Sequence, residues 1–268
     1  MCIFLVFDFL LTLRFYRKKD KRGFPLLPDC QLVYYQNFPS YDLLNNFFIS
    51  EVPGYDGEIK ITRSPAWPSR FHENSLGFRS SKKSHAIAIP TNFSLPDSDT
   101  FLLQYETRNN LLMTCNTQFI TLFEEFPGKS FSNQSKFFLE FGPEVCGKSL
   151  NHVRFRIKNS QLRENILIPA DDVTHQYTLI IRENGTFEIM IDTRSLFNGT
   201  FKDHFEPEFE NVVFPQISGY GFNSWMEYPS TFYTNILIGT NEKEIKKWNK
   251  QDFARRQRIQ IQKNEERI

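Results

Sequence analysis

The sequence predicts an all-β fold: an antiparallel β-sandwich followed by a C-terminal α-helix. Three observations predict it. Between about residues 30 and 240 the apolar residues recur mostly with period 2, as on strands with one wet face. Asn184-Gly185 lies between two such runs and is a strong hairpin signal. The stretch from Thr240 to Ile268 lacks Pro and Gly and spaces Ile245, Trp248, Phe253, Ile259 and Ile261 among charges.

The chain divides into three parts: 1–29, 30–239 and 240–268. In the first, Ile3 to Leu13 form an apolar run broken by Asp8, and positive charge follows it at Arg14, Arg17, Lys18 and Lys19. The run is shorter than the roughly 20 residues a spanning helix needs, and its positive charge follows where a signal peptide carries it before. A degenerate signal or signal-anchor segment, or a misplaced start codon, is therefore expected over a buried helix. In the second, the clearest strands are Phe101–Thr107, His152–Ile157, Tyr177–Ile181, Thr186–Ile191, Ile217–Trp225 and Thr231–Ile238. Arg154 and Arg156 alternate with Val153, Phe155 and Ile157, so the two arginines share a solvent-facing side. Many short strands before one terminal helix read as a single sandwich. In the third, Thr240 or Asn241 is placed to cap the helix, with Glu242 and Glu244 in its first turn. Residues 241–268 carry nine Lys+Arg against five Asp+Glu, which suits a solvated amphipathic helix lying on the domain.

Charge narrows the function. The 268 residues hold 32 Lys+Arg and 31 Asp+Glu, a balance that argues against nucleic-acid binding and against an acidic calcium store. No zinc spacing, phosphate loop or Ser-His-Asp order stands out among only five His. Paired carboxylates of a glycoside hydrolase have one candidate, Glu206 and Glu208 in Glu206-Pro-Glu-Phe-Glu210. Residues i and i+2 share a strand face, but Pro207 interrupts the strand, and an acidic loop is the expectation. The four cysteines are Cys2, Cys30, Cys115 and Cys146. Cys115 and Cys146 stand beside strands, either as buried thiols or as a bridge contributing about 3–4 kcal/mol. Sequons, candidate glycosylation sites, occur at Asn92, Asn133, Asn184 and Asn198, somewhat more than chance gives in a chain rich in Asn, Ser and Thr, and so support secretion only weakly.

The run Phe141-Gly-Pro-Glu-Val-Cys-Gly147 resembles the Phe-Gly-Pro-Asp-x-Cys-Gly signature of the calnexin/calreticulin family, lectin chaperones of the endoplasmic reticulum. Thr174-His-Gln-Tyr-Thr-Leu-Ile180 is similar to that family's Thr-His-x-Tyr-Thr-Leu-Ile hairpin strand. Val33-Tyr34-Tyr35, Tyr55-Asp56-Gly57, Ser84-His-Ala-Ile-Ala88 and Gly221-Phe-Asn-Ser-Trp225 match in the family's order. The resemblance implies a legume-lectin-like (concanavalin A-like) sandwich, a Cys115–Cys146 disulfide, a sugar pocket, a structural calcium site, and unfolded or nascent glycoproteins as partners. It implies the endoplasmic reticulum as location and a chaperone rather than an enzyme.

The same comparison shows departures. Residues 193–216 contain no repeat where the family inserts its proline-rich arm, so recruitment of thiol oxidoreductases is not expected. Nor is the C-terminal part acidic. In the implied sugar pocket, the family's Cys-Gly-Gly-Gly/Ala-Tyr-x-Lys run reads Cys115-Asn-Thr-Gln-Phe119-Ile-Thr121. Phe137 replaces a tyrosine, Glu140 a methionine, Glu144 an aspartate and Asn223 an aspartate, while Trp225 is kept. Four altered polar groups remove roughly 4–9 kcal/mol of hydrogen bonding, against about 8 for a micromolar ligand. Glucose selection is therefore expected to fail, leaving Phe119, Phe137 and Trp225 either as a stacking surface or as core. The implied calcium set is Asn37, Glu73, Thr234 and Asn235, with Thr234 where the family has aspartate. A mostly neutral set binds calcium weakly.

Overall fold

The computed structural model describes residues 32–63, 73–95, 100–109, 114–147 and 150–266. The expected signal segment at 1–29, Cys2 and Cys30 lie outside the described residues. The first strands are β1 (Leu32–Gln36), β2 (Phe48–Ile49), β3 (Ile59–Arg63), β4 (Asn74–Phe78), β5 (Lys83–Phe93) and β6 (Thr100–Asn109). There follow β7 (Cys115–Thr117), β8 (Ile120–Phe123), β9 (Leu139–Cys146), β10 (Leu150–Ile157), β11 (Ser160–Leu162) and β12 (His175–Arg182). The last are β13 (Thr186–Ile191), β14 (Arg194–Thr200), β15 (Phe205–Glu206), β16 (Ile217–Met226) and β17 (Thr231–Gly239). A short helix, α1 (Phe201–His204), lies between β14 and β15, and α2 (Glu242–Gln251) and α3 (Phe253–Glu265) follow the last strand.

All pairings are antiparallel and form two sheets. An eight-stranded sheet runs β14-β13-β12-β6-β17-β4-β3, with β1 also on β17. A nine-stranded sheet runs β15-β11-β10-β9-β7-β16-β5-β2, with β8 between β16 and β9. Their inner faces enclose one core in which Leu103, Leu179, Ile189 and Ile236 of the first sheet join Phe141, Phe155, Ile87 and Phe222 of the second. The abundance of Phe follows from one end of this core. Phe155, Phe187, Phe201, Phe205 and Phe209 pack edge-to-face or stacked at ring separations of 4.6–5.5 Å. Residues 192–216 thus fold back on the sandwich: β14 extends one sheet, β15 the other, and α1 bridges them.

Two motif glycines have steric reasons. Gly142, with φ +136°, faces the Tyr105 hydroxyl, and a Cβ there would come within 1.7 Å of it. That hydroxyl crosses from one sheet to the other and donates to the Gln118 carbonyl at 2.7 Å. Gly57 lies against the His85 ring, which a Cβ would approach to 2.3 Å. The hairpin at Asn184-Gly185 forms as read, Gly185 taking φ +72° and Asn184 Oδ1 accepting from the Thr186 amide. Cys115 and Cys146 stand opposite each other on β7 and β9 and are joined as a disulfide, with Cα atoms 3.8 Å apart.

The single C-terminal helix read from the sequence is two helices that break at Asp252, whose backbone (φ −102°, ψ −72°) serves as C-cap of α2 and N-cap of α3. Asn241 caps α2 by accepting from the Glu244 amide. The break lets both helices cover the outer face of the eight-stranded sheet. Ile245 and Trp248 cover Leu102, Ile180, Met190 and Leu237. One turn on, Arg256 enters the same face. Its guanidinium donates to Glu106 on β6 at 2.5 and 3.0 Å and to Asp252 at 2.8 and 3.0 Å, and all three side chains are buried. Three charges out of water hold because Arg256 donates to both carboxylates.

Removing the cation takes the guanidinium from two buried carboxylates. Arg256→Met is expected to cost about 3–5 kcal/mol in urea unfolding, with the Glu106→Gln, Arg256→Met double variant less destabilised than the two single losses combined. Two histidines set a pH optimum. Burial pushes His85, stacked on Phe78 at 5.0 Å, down to about 4. Burial opposes charge on His175 too, but its hydrogen bonds to Asp171 (2.8 Å) and Asp192 (2.6 Å) prevail and raise it to about 9. An unfolded histidine titrates near about 6.5. Stability from neutral His85 is therefore lost as pH falls from that value towards 4, and stability from charged His175 is lost as pH rises from it towards 9. Urea midpoints are expected to peak between these limits, with His85→Gln flattening the acid limb and His175→Gln the alkaline limb.

Candidate functional site

Among the described residues, the C-terminal helices do not cover the outer face of the nine-stranded sheet, and β9 and β10 build its centre. Their register sets Glu140 opposite Arg156, Glu144 opposite His152, and Gly142 opposite Arg154. Since alternate residues face one way, Glu140, Glu144, His152, Arg154 and Arg156 all point outwards. Arg154 lies between two carboxylates. It donates to both Glu144 oxygens at 2.7 and 2.8 Å and to Glu140 at 3.3 Å. Arg156 donates to the same Glu140 at 3.2 Å, and His152 lies 3.6 Å from Glu144. Burial raises the Glu140 carboxyl above the usual carboxylate range, although both arginines favour its charge. Burial likewise opposes charge on Arg154, but Glu144 and Glu140 outweigh it and raise its pKa.

Each arginine also covers an aromatic ring. The Arg154 guanidinium lies 4.7 Å from the centre of Phe119, and that of Arg156 4.8 Å from the centre of Phe137. Phe119 is only 8% exposed. Phe137 is half-buried against Ala86, Ala88, Phe123 and Phe131. The stacking surface expected from Phe119, Phe137 and Trp225 is thus reduced to Trp225, which is 43% exposed. The other two rings are core roofed by cations.

Trp225 stands on β16 beside Asn223, across a depression of about 270 Å³. Six of the seven residues singled out in the sequence line it: Phe119, Thr121, Glu140, Glu144, Asn223 and Trp225. Phe137 does not. Tyr55 closes one side. Its hydroxyl receives the Asn133 backbone amide at 2.9 Å and the Asn223 side-chain amide at 3.3 Å. Thr117 adds a hydroxyl that donates to the Asn223 carbonyl at 3.1 Å. The sequence pattern indicated a wet strand face at Arg154 and Arg156 but not their partners, which only strand register supplies. Tyr55 was visible as a motif residue, without a role.

Glu206 and Glu208 lie elsewhere. Glu206 is on β15, two strands beyond β10, a cis peptide joins it to Pro207, and both carboxylates are exposed.

An antiparallel sandwich with one sheet covered by C-terminal helices and a polar depression on the other defines a lectin-like domain. The sequence model of the Calreticulin family matches residues 35–215, and the chain belongs to that family. Calreticulin of Dictyostelium discoideum is 30% identical over 142 residues, 50% of this chain and 33% of that protein. Calreticulin-3 of Bos taurus is 30% identical over 138 residues, 48% of this chain and 36% of the relative. The solved T. cruzi calreticulin globular domain superposes with a TM-score of 0.75 at 17% identity, covering 88% of this chain and 100% of that one, a likeness of fold. The chain spans about a third to under half the length of the curated relatives it matches.

The implied calcium residues occupy the far end of the eight-stranded sheet, and their chemistry fits the ion poorly. The Thr234 hydroxyl donates to the Asn74 carbonyl at 2.9 Å. Asn74 in turn donates from its backbone to the Asn37 carbonyl at 3.1 Å. The Asn235 amide is divided between the Tyr35 hydroxyl at 2.5 Å and Glu106 at 3.1 Å. Of the four, Glu73 alone offers a carboxylate, and it acts electrostatically on Arg256. Among the described residues, no three His, Cys, Asp or Glu side chains converge on one point as metal ligands. The cation at this end of the sheet is a guanidinium. Adding excess calcium or a chelator is therefore expected to leave the melting temperature unchanged, whereas a tight site at a hundredfold excess over Kd would add about 2.7 kcal/mol.

Proposed function

We propose that this chain is a non-enzymatic chaperone of the endoplasmic reticulum that holds incompletely folded polypeptides or nascent glycoproteins without selecting a glucosylated glycan. Membership of the calreticulin family supports the chaperone class and the location. Among the described residues no helix is long and apolar enough to cross a membrane.

One observation carries the loss of glucose selection: the polar groups on the open face satisfy one another. Glu140 and Glu144 accept from Arg154 and Arg156, Asn223 donates to Tyr55, and Thr117 donates to Asn223. A sugar hydroxyl seeking these groups competes with charge-assisted bonds worth about 1.5–3 kcal/mol each. Selection needs fixed partners left open for the ligand, whereas apolar contact through Trp225 tolerates varied clients.

The test joins two measurements on purified protein. On a glycan array, monoglucosylated and unglucosylated oligomannose are expected to bind equally weakly. In light scattering with reduced lysozyme as client, the protein is expected to slow aggregation, and Trp225→Ala to lose most of that protection while unfolding at the same urea concentration. Selective micromolar binding of the monoglucosylated glycan would restore the family's ordinary sugar site and overturn the proposal. Failure of the unmodified protein to slow aggregation would favour a purely structural module.

A further inference from the structure

The rim of the depression carries one of the chain's own glycosylation sequons, Asn133-Gln134-Ser135. We infer that an N-glycan on Asn133 covers the open face of the nine-stranded sheet and so controls access to Trp225. The inference rests on the secretory location proposed above, since the modification is made there.

Three features of the site support it. First, the Asn133 side chain is exposed and makes no hydrogen bond among the described residues, so its amide nitrogen is available to carry a sugar. Of the other sequons, Asn198 donates from that nitrogen to the Ser195 hydroxyl at 2.9 Å, whereas Asn92 and Asn184 accept through Oδ1, from Gln216 and Thr186, and leave theirs available. None of these three lines the depression.

Second, the root of the glycan is held. The Asn133 backbone amide donates to the Tyr55 hydroxyl at 2.9 Å. The surrounding turn closes on itself through the Ser135 amide to the Ser132 carbonyl at 3.2 Å and the Ser132 amide to the Ser135 hydroxyl at 2.9 Å. A sugar attached here starts from a fixed point on the rim.

Third, the path to the exposed ring is short. Tyr55 ties Asn133 to Asn223 through two hydrogen bonds, and Trp225 is two residues further on β16, on the same face. That step along a strand is about 6.5–7 Å. The apolar flank of a pyranose ring also suits the exposed face of an indole. The ligand class is therefore a neutral N-linked glycan of the chain itself, seated in cis where a client would otherwise bind.

The experiment uses the full chain secreted from a glycosylating eukaryotic host. Glycopeptide mass spectrometry reads occupancy at Asn92, Asn133, Asn184 and Asn198. Hydroxyl-radical footprinting then reads oxidation of Trp225 in the glycosylated protein, in the same protein after enzymatic removal of glycans under native conditions, and in Asn133→Gln. The expected result is an occupied Asn133, with Trp225 oxidised several-fold more slowly while the glycan is present and equally fast in the two forms lacking it. Glycan removal from folded protein keeps the test independent of how Asn133→Gln folds. An unmodified Asn133 beside an occupied sequon elsewhere would overturn this inference and leave the secretory reading standing. If all four asparagines are bare, both fall. An occupied Asn133 with unchanged Trp225 oxidation would show a glycan that does not cover the face.

Discussion

The Tyr105 hydroxyl is the contact on which the packing of the two sheets depends. It is fully buried, and a buried hydroxyl left without a partner costs about 1–3 kcal/mol. Tyr105 belongs to β6, in the middle of the eight-stranded sheet, and its partners are the Gln118 and Phe141 carbonyls of the other sheet, at 2.7 and 3.2 Å. The contact fixes the spacing and register of the two layers at their centre. It also requires that β9 carry no side chain at position 142. Gly142 admits the hydroxyl from inside. On the outer side of the same two strands, Arg154 settles between Glu140 and Glu144.

The two outer faces are treated in opposite ways. On the eight-stranded sheet, buried polar side chains such as Gln104 and Glu106 would be costly without partners, and the C-terminal helices supply them. Asn249 donates to Gln104 at 2.5 Å and Arg256 to Glu106. At the helix edge, Arg182 and Lys246 bind Glu188 and Glu242, and those partners hold Glu242 down at about 2. On the nine-stranded sheet neither C-terminal helix arrives, and the polar side chains satisfy one another along β9 and β10. The covered face is thus locked by charges brought from the end of the chain. The open face is locked by charges from neighbouring strands, which leaves a shallow polar surface with one exposed indole.

This arrangement accounts for how a calreticulin-family sandwich dispenses with features read as missing from the sequence. Residues 192–216 close the sandwich edge with β14, α1 and β15, and the phenylalanines they contribute complete the core. At the opposite end, the neutral Thr234 and Asn235 are absorbed by hydrogen bonds to Asn74, Tyr35 and Glu106. The buried positive charge belongs to Arg256, a side chain far along the sequence from β4 and β6.

The amino-acid sequence by itself determined the strands, the Asn184-Gly185 turn and the terminal helical segment, because period, turn chemistry and capping are local properties written in adjacent residues. The motif around Phe141 pointed to the family and, through it, to six of the residues that line the depression. Tertiary structure decided what those residues do. Whether Phe119 and Phe137 form a binding surface or a core depended on whether another strand covers them, and Arg154 and Arg156 do. The break at Asp252 was equally hidden, since only docking on the sheet brings Arg256 and Asp252 to Glu106, 150 positions away from Arg256. Local pattern is set by neighbours in the chain, whereas pairing of charges and burial of rings is set by strand register and by the face each side chain is given, and neither exists until the sheets have closed.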